Sequence, residues 1–496
     1  MPSFGLPYVT ESDNPLPDLI TGYVSVAGKK SVFAPGVTGL EESAKAYHAS
    51  AKDLASVRRE LESFGFIVLA GSELGFSVAA GPAQFEEITG GTVLPFERLM
   101  QTARGVREYI TCLDIVGSKQ PDAMGVGKAK SAALRIDGIC LEQPKQCHSI
   151  FPSPIPPASP KFHLRLPGDL AVAMGAQQAR QRGFRGDGIT VAMPDTGWYR
   201  HPYFTANQYK IQTPLVTVPG TNPSKDPVGH GTGESANIFA LAPGVVLQPV
   251  RATDSAGRFV GAMAAFLKSK ALVPRIITNS WGGDGLYPPI GGPSAADLAL
   301  AAEIKDAIEK GILVIFSAGN GQFAIEPQVP GVLSAGGVYL DPMGRLQASS
   351  YASGYASPWF PDVVVPTACG LVGMQPRAQY LMLPVQPGCE LDQSEATIAD
   401  GEAGDGTTGT DGWAMFSGTS AAAPQLAGAA ALILGAKPAL RPAQVIEALS
   451  KTAVDVLSGH SFPQRFNEPA GPGRDLATGW GLINASAAVD YAISNF

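Results

Sequence analysis

The chain has 496 residues, 45% of them apolar and only 16% charged. That is enough apolar material for a sizeable core, and it excludes a disordered chain, a coiled coil and collagen. With 36 basic and 43 acidic residues the net charge is −7, which sets aside a general nucleic-acid binder, since such proteins carry the opposite sign.

Residues 1–21 read as a leader. They carry Glu11, Asp13 and Asp18 but no Lys or Arg. They lack the basic start and apolar core of a secretory signal, so the expectation is a cytoplasmic protein, or one exported by a route without a signal peptide. No run of 18 uninterrupted apolar residues occurs anywhere, so no membrane partner is expected.

Residues 22–118 have the pattern of a small α+β domain. Tyr23, Val24 and Val26 predict a strand. Leu54, Val57, Leu61 and Phe64 share one face of a helix, with Ser50 and Asp53 as its start and Gly65 as its stop. The apolar runs 66–70 and 76–80, split by a glycine-bounded turn, predict a hairpin. A short helix after Pro82 and a strand at Val93-Leu94 complete a β-α-β-β-α-β order, a ferredoxin-like arrangement. Residues 119–165 then change character, with five prolines between Pro152 and Pro160. Such a stretch is stiff and extended, and it reads as a linker.

From residue 166 to 496, apolar strands alternate with helices. Strands are expected at 189–193, 245–250, 275–278, 312–316 and 362–365, and helices at 260–268, 295–310 and 420–435. Strands this apolar imply an α/β fold, a parallel sheet with helices on both faces. Residues 390–411 form an acidic loop, read either as a solvated flap or as a lid or cation site. The cysteines are Cys112, Cys140, Cys147, Cys369 and Cys389, with no C-x-x-C pair. Cys140 and Cys147 flank one loop, Cys369 and Cys389 another; each pair is open to a disulfide or to two buried thiols.

Four residues in this region carry chemistry. Asp195 ends an apolar strand, where α/β sheets place ligands; alone it reads as a turn residue before Gly197. His230 lies between glycines at the expected start of a helix, where the positive dipole end lowers a histidine pKa and suits a neutral base. Asn320 follows the strand at 312–316, where its amide can donate to an oxyanion; alone it reads as a left-handed turn residue. Ser420 opens an apolar helix, so its own N–H points at any developing oxyanion; alone it is an N-cap. Ser417 is a rival hydroxyl outside the helix start.

Together these segments resemble the subtilisin-like serine peptidases, the subtilases. The resemblance rests on Asp195-Thr196-Gly197, His230-Gly231-Thr232, Asn279-Ser280-Trp281-Gly282, Ala318-Gly319-Asn320, and Gly418 through Pro424. The closing Gly479-Trp480-Gly481 also matches, and the likeness covers about 180–496. It implies a subtilisin-like fold and hydrolysis of peptides or proteins through an acyl-enzyme. In that reading Ser420 is the nucleophile, His230 the base, Asp195 its orienting carboxylate and Asn320 the oxyanion donor. Ser280, Trp281 and Gly282, facing Ala318 and Gly319, would bind the substrate. No cofactor is implied for the chemistry, and a structural calcium is left unassigned.

Two departures stand out. Gly233-Glu234 replaces the second histidine many subtilases carry, and the loop before Ser420 is long. Glu234 lies one turn after His230, so it is a candidate modulator of the imidazole. A related branch, the sedolisins, uses Glu for His and Asp for the oxyanion Asn; His230 and Asn320 favour subtilase chemistry. The 22–97 pattern resembles the sedolisin prodomain, which makes the N-terminal domain an expected inhibitor removed on maturation. The runner-up functions are a silent, peptide-gripping relative of the fold and a peptide ligase or macrocyclase.

Overall fold

An apolar strand that must hide both faces needs helices above and below, and the C-terminal two-thirds of the chain meets that need. The computed structural model describes residues 9–29, 31, 33, 48–101, 107–118, 126–131, 134–141, 153–285, 287–289, 295–376, 378–397 and 404–496. These fall into two compact units, Met1–Phe151 and Pro152–Phe496.

In the first unit, β1 (Ile20–Val26), α1 (Ala51–Ser63), β2 (Ile67–Gly71), β3 (Gly75–Ala80), α2 (Pro82–Thr89), β4 (Thr92–Gln101), β5 (Arg107–Val116) and β6 (Ile136–Leu141) succeed one another. Ser50 caps α1 by accepting the Asp53 N–H at 3.1 Å, and Gly65 follows the helix with φ +84°, as the sequence implies. The core joins Val24, Val57, Leu61, Val78, Phe85 and Ile139. One expectation fails. The sheet runs β2-β3-β1-β6, so the place beside β1 belongs to β6 and not to the strand at Val93-Leu94. That strand is the start of β4, which spends all ten of its residues on an antiparallel pairing with β5 in a separate sheet.

The linker boundaries shift as well. Residues 136–141 are strand β6, and its neighbour Val126–Gly127 pairs with it. At the other end the Ser153 carbonyl accepts from Trp413 Nε1 at 3.1 Å, the Ser159 hydroxyl donates to the Asp405 carbonyl at 2.7 Å, and Leu164-Arg165 pairs with the strand Leu381–Pro384. The proline-rich stretch is therefore tied to the second unit. Residues 142–152, with Cys147, lie outside the described residues.

The second unit is built on a mainly parallel sheet. β7 (Thr190–Asp195) pairs with β8 (Val246–Arg251) and β9 (Ile276–Asn279). β9 leads to β10 (Leu313–Ser317), then β11 (Leu333–Leu340) and β12 (Ala368–Leu371), all parallel. The order is β8-β7-β9-β10-β11-β12, with Leu346–Ala348 antiparallel on β11. The run at 362–365 is not part of it; Val364-Val365 pairs with Tyr355-Ala356 instead. β11 and β12 fill the place assigned to it.

Two helices of this unit carry candidate site residues in their first turns: α3 (His230–Leu241) and α4 (Thr419–Ala436). α4 is long and apolar enough to cross a membrane by length and composition, but most of it is buried inside the protein. It packs directly on α3. At Gly428 a side chain would come within 2.8 Å of the Ile238 carbonyl oxygen, so glycine lets the two helices approach closely.

In the described part of the acidic loop, the solvated-flap reading fails at two carboxylates. Residues 390–396 are helical, and Asp392 and Asp405 are fully buried. Asp392 accepts the Gly388 and Gly412 N–H groups, and Asp405 accepts Met415 N–H at 2.8 Å and the Thr407 hydroxyl at 2.7 Å. Among the described residues no cluster of three metal-ligating side chains occurs, so the cation reading gains nothing. Cys369 and Cys389 are buried and unbridged, which removes that disulfide.

Candidate active site

Asp195 is the last residue of β7, and His230 is the first of α3. Gly229, at φ +92°, turns the chain into the helix in a conformation that side chains resist. The His230 Nδ1–H donates to Asp195 Oδ1 at 2.8 Å, and the Thr196 N–H donates to the same oxygen at 2.7 Å. Asp195 is almost fully buried, whereas the His230 side chain keeps 23% of its surface exposed.

A residue the sequence reading missed holds these two loops together. Asp226, fully buried, accepts the Thr196 hydroxyl at 2.8 Å, Gly229 N–H at 3.0 Å, Thr232 N–H at 2.8 Å and the Thr232 hydroxyl at 2.7 Å. The Thr196 hydroxyl in turn accepts Gly231 N–H at 2.9 Å. The strand end bearing Asp195 and the helix start bearing His230 are thus fastened through one carboxylate. Its only signal in sequence was an Asp four residues before the histidine.

Ser420 is the second residue of α4, not its cap; that position belongs to Gly418. Its hydroxyl donates to the Ser280 carbonyl at 3.2 Å, while the Ser280 hydroxyl donates to the Ser420 carbonyl at 2.7 Å. Among the described residues no hydrogen bond joins His230 and Ser420. The rival Ser417 has its hydroxyl engaged on three sides. Its hydroxyl donates to Ala378 O at 2.7 Å, accepts Gly373 N–H at 2.9 Å and contacts the Tyr351 hydroxyl at 2.8 Å. Asn320 follows β10, and its Oδ1 accepts Thr419 N–H at 2.9 Å and the Thr419 hydroxyl at 3.1 Å. That pins the oxygen and leaves Nδ2 as the outward donor, beside the N-terminal N–H groups of α4.

Glu234 is wholly buried. Oε2 accepts from Asn237 Nδ2 at 2.8 Å; Oε1 has no hydrogen-bond partner and stands 3.8 Å from His230 Nε2. Burial pushes the Glu234 carboxyl up to about 8, against the pull of the imidazole. Burial alone would lower His230. The charge and hydrogen bond of Asp195, then Glu234 and Asp226, outweigh it and raise His230 to about 9. The dipole expectation of a lowered histidine therefore fails, because nearby carboxylates act at shorter range than a helix end.

Ser420 and Asn320 open onto a cleft of about 660 Å³, walled by Ser280, Trp281 and Gly282 on one side and Gly319 on the other. Trp281 is anchored by its Nε1–H to the Pro194 carbonyl at 2.9 Å. Ala318 does not reach the cleft; it is buried behind the wall with Phe323 and Tyr355.

Residues 186–481 match the model of the subtilase family. The chain belongs to that family. It is 26% identical over 328 residues to subtilisin BL of Lederbergia lenta, covering 63% of this chain and 95% of that protein. Subtilisin DY of Bacillus licheniformis is 28% identical over 323 residues, with the same shares. Among solved structures, a lanthipeptide protease matches with a TM-score of 0.47 at 19% identity, over 64% of this chain and 92% of that one. This subtilase is a serine-type endopeptidase acting on peptide or protein substrates.

Proposed function

We propose that the enzyme cleaves through an acyl-enzyme formed on Ser420. What supports this is the 2.8 Å Asp195–His230 bond, together with a cleft lined by both Ser420 and Asn320. The Ser420 hydroxyl leaves the Ser280 carbonyl, passes its proton to His230 Nε2 and attacks the scissile carbonyl. His230 returns the proton to the leaving amine. Asp195 holds Nδ1–H and so fixes the tautomer that presents Nε2. The Asn320 amide and the Ser420 N–H receive the oxyanion. An extended substrate adds as a strand along 280–282. Glu234 stabilises the imidazolium from the side of Nε2.

The N-terminal unit acts as a prodomain that restrains the enzyme until it is cut off, a reading supported by its β-α-β-β-α succession ahead of the family-matched residues 186–481. Fluorophosphonate labelling tests the nucleophile: the label must map to Ser420 and vanish in Ser420→Ala. Mass spectrometry of products must show hydrolysed, linear peptides; cyclic products would move the reading to a ligase.

A further inference from the structure

One acidic group in the cleft takes no part in this catalytic cycle. Glu326 lines the same cavity as Ser420 and Asn320 and is only 5% exposed. Its two carboxylate oxygens both accept Gly283 N–H, at 3.2 and 3.3 Å, and the Glu326 and Ile325 backbone N–H groups also favour its ionised form. Both distances are long for a charge-assisted bond, so the carboxylate keeps acceptor capacity. Among the described residues it makes no ion pair. The neighbouring Asp284 differs: Arg465 Nη1 donates to its Oδ1 at 2.8 Å, so its charge is already answered.

The wall in front of Glu326 is glycine. Side chains at Gly282 and Gly283 would lie 3.4 and 4.0 Å from its oxygens, and their absence leaves the carboxylate facing the cavity. The lining is mixed, with Trp281, Leu300 and Ala324 apolar and Asp284, Ser317 and Gln322 polar. Apolar lining beside a buried carboxylate suits a long aliphatic stem with a cationic head. Burial pushes the Glu326 carboxyl up, and an arriving cation opposes that by favouring the ionised form.

We propose that Glu326 makes this enzyme select Arg or Lys as the residue whose carbonyl is attacked. That residue is specified because its carbonyl must lie between Ser420 and Asn320, so its side chain enters the cavity those two residues share. The inference rests on the proteolytic reading of the site.

The test uses protein expressed as the full chain and peptide amides that differ only in the residue before the scissile bond: Arg, Lys, citrulline or Phe. Citrulline keeps the shape of Arg and loses the charge. Arg should exceed citrulline by about 10²-fold in kcat/KM, the scale of a desolvated charge pair, and the ratio should collapse toward one in Glu326→Gln. Equal rates for Arg and citrulline in the wild type overturn the proposal without any variant. An Arg-to-citrulline ratio unchanged in Glu326→Gln overturns it too. Fluorophosphonate labelling of Ser420, run in parallel, separates the two readings. A labelled enzyme that ignores charge refutes the selectivity alone, whereas a chain that neither labels nor cleaves removes the proteolytic reading and this one with it.

Discussion

Replacing Glu234 by Gln removes a carboxylate 3.8 Å from His230 Nε2 while leaving an oxygen for the Asn237 contact. In the wild type the two groups compete for a proton, with Glu234 raised to about 8 and His230 to about 9. As pH rises from the acid side, whatever share of the first proton comes from Glu234 leaves an imidazolium that cannot act as a base. The active population therefore appears only at higher pH than it would without Glu234. Unit charges 3.8 Å apart attract by about 4 kcal/mol at an effective dielectric near 20, or about 10³-fold in proton affinity. Glu234 loses its proton below His230 and is mostly ionised where His230 titrates; solvent at the partly exposed imidazole screens the pair, so the expected effect is smaller, about ten-fold or more. In the profile of kcat/KM against pH, the acid limb of Glu234→Gln should thus move to lower pH by at least that factor. The pH dependence of fluorophosphonate labelling should move with it, since both report the same base. An unmoved acid limb, or one that moves to higher pH, refutes the reasoning.

The other expectations concern the nucleophile, the oxyanion donor and maturation. Ser420→Ala should abolish turnover at a stability cost of about 1 kcal/mol or less, because it loses only the 3.2 Å bond to Ser280; full turnover in this variant, read with a peptide amide, would exclude the assignment. Asn320→Ala should lower kcat by about 10²–10³ with KM little changed, the size measured when subtilisin loses its oxyanion donor. Asn320→Asp, which retains an oxygen for Thr419, should lose as much; near-normal kcat in the Asp variant would remove Nδ2 from the mechanism. Maturation should cut the chain within residues 142–152, between the last strand of the first unit and the first contacts of the second, and the 1–141 fragment should inhibit the processed enzyme in trans. N-terminal sequencing reads the cut, and an uncleaved, fully active chain contradicts the prodomain reading.

The site was legible because its residues lie in short segments whose order and small neighbours are set by chemistry. Asp195, His230, Asn320 and Ser420 each sit at the end of an element recognisable by its apolar pattern. Less local features were not legible. Strand β11 contains Gly336-Gly337, which lowers its strand signal, yet side chains there would stand 2.4 Å from Pro366 and Val372. Close approach by a neighbouring segment required glycine, and no neighbour is visible in a one-dimensional pattern. The run at 362–365 looks more like a strand but is hemmed in by Pro361 and Pro366 and pairs over only two residues. Asp226 escaped for the same reason as β6: its role lies in what folds against it. Glu234 was visible as a neighbour of His230 by helical spacing, but its complete burial was not.

The contact at Gly428 has a consequence for how this enzyme would fail. α3 and α4 carry His230 and Ser420 at their N-termini, and they touch where α4 has no side chain. The spacing of the proposed base and nucleophile is therefore a property of the core rather than of a surface loop. Heat should not produce a long-lived form that is folded but miswired, because whatever loosens the two helices also opens the interior. Thermal inactivation and loss of tertiary structure should follow one curve. The proposed selectivity rests on a different element, the short turn Glu326–Gln328 beside the cleft.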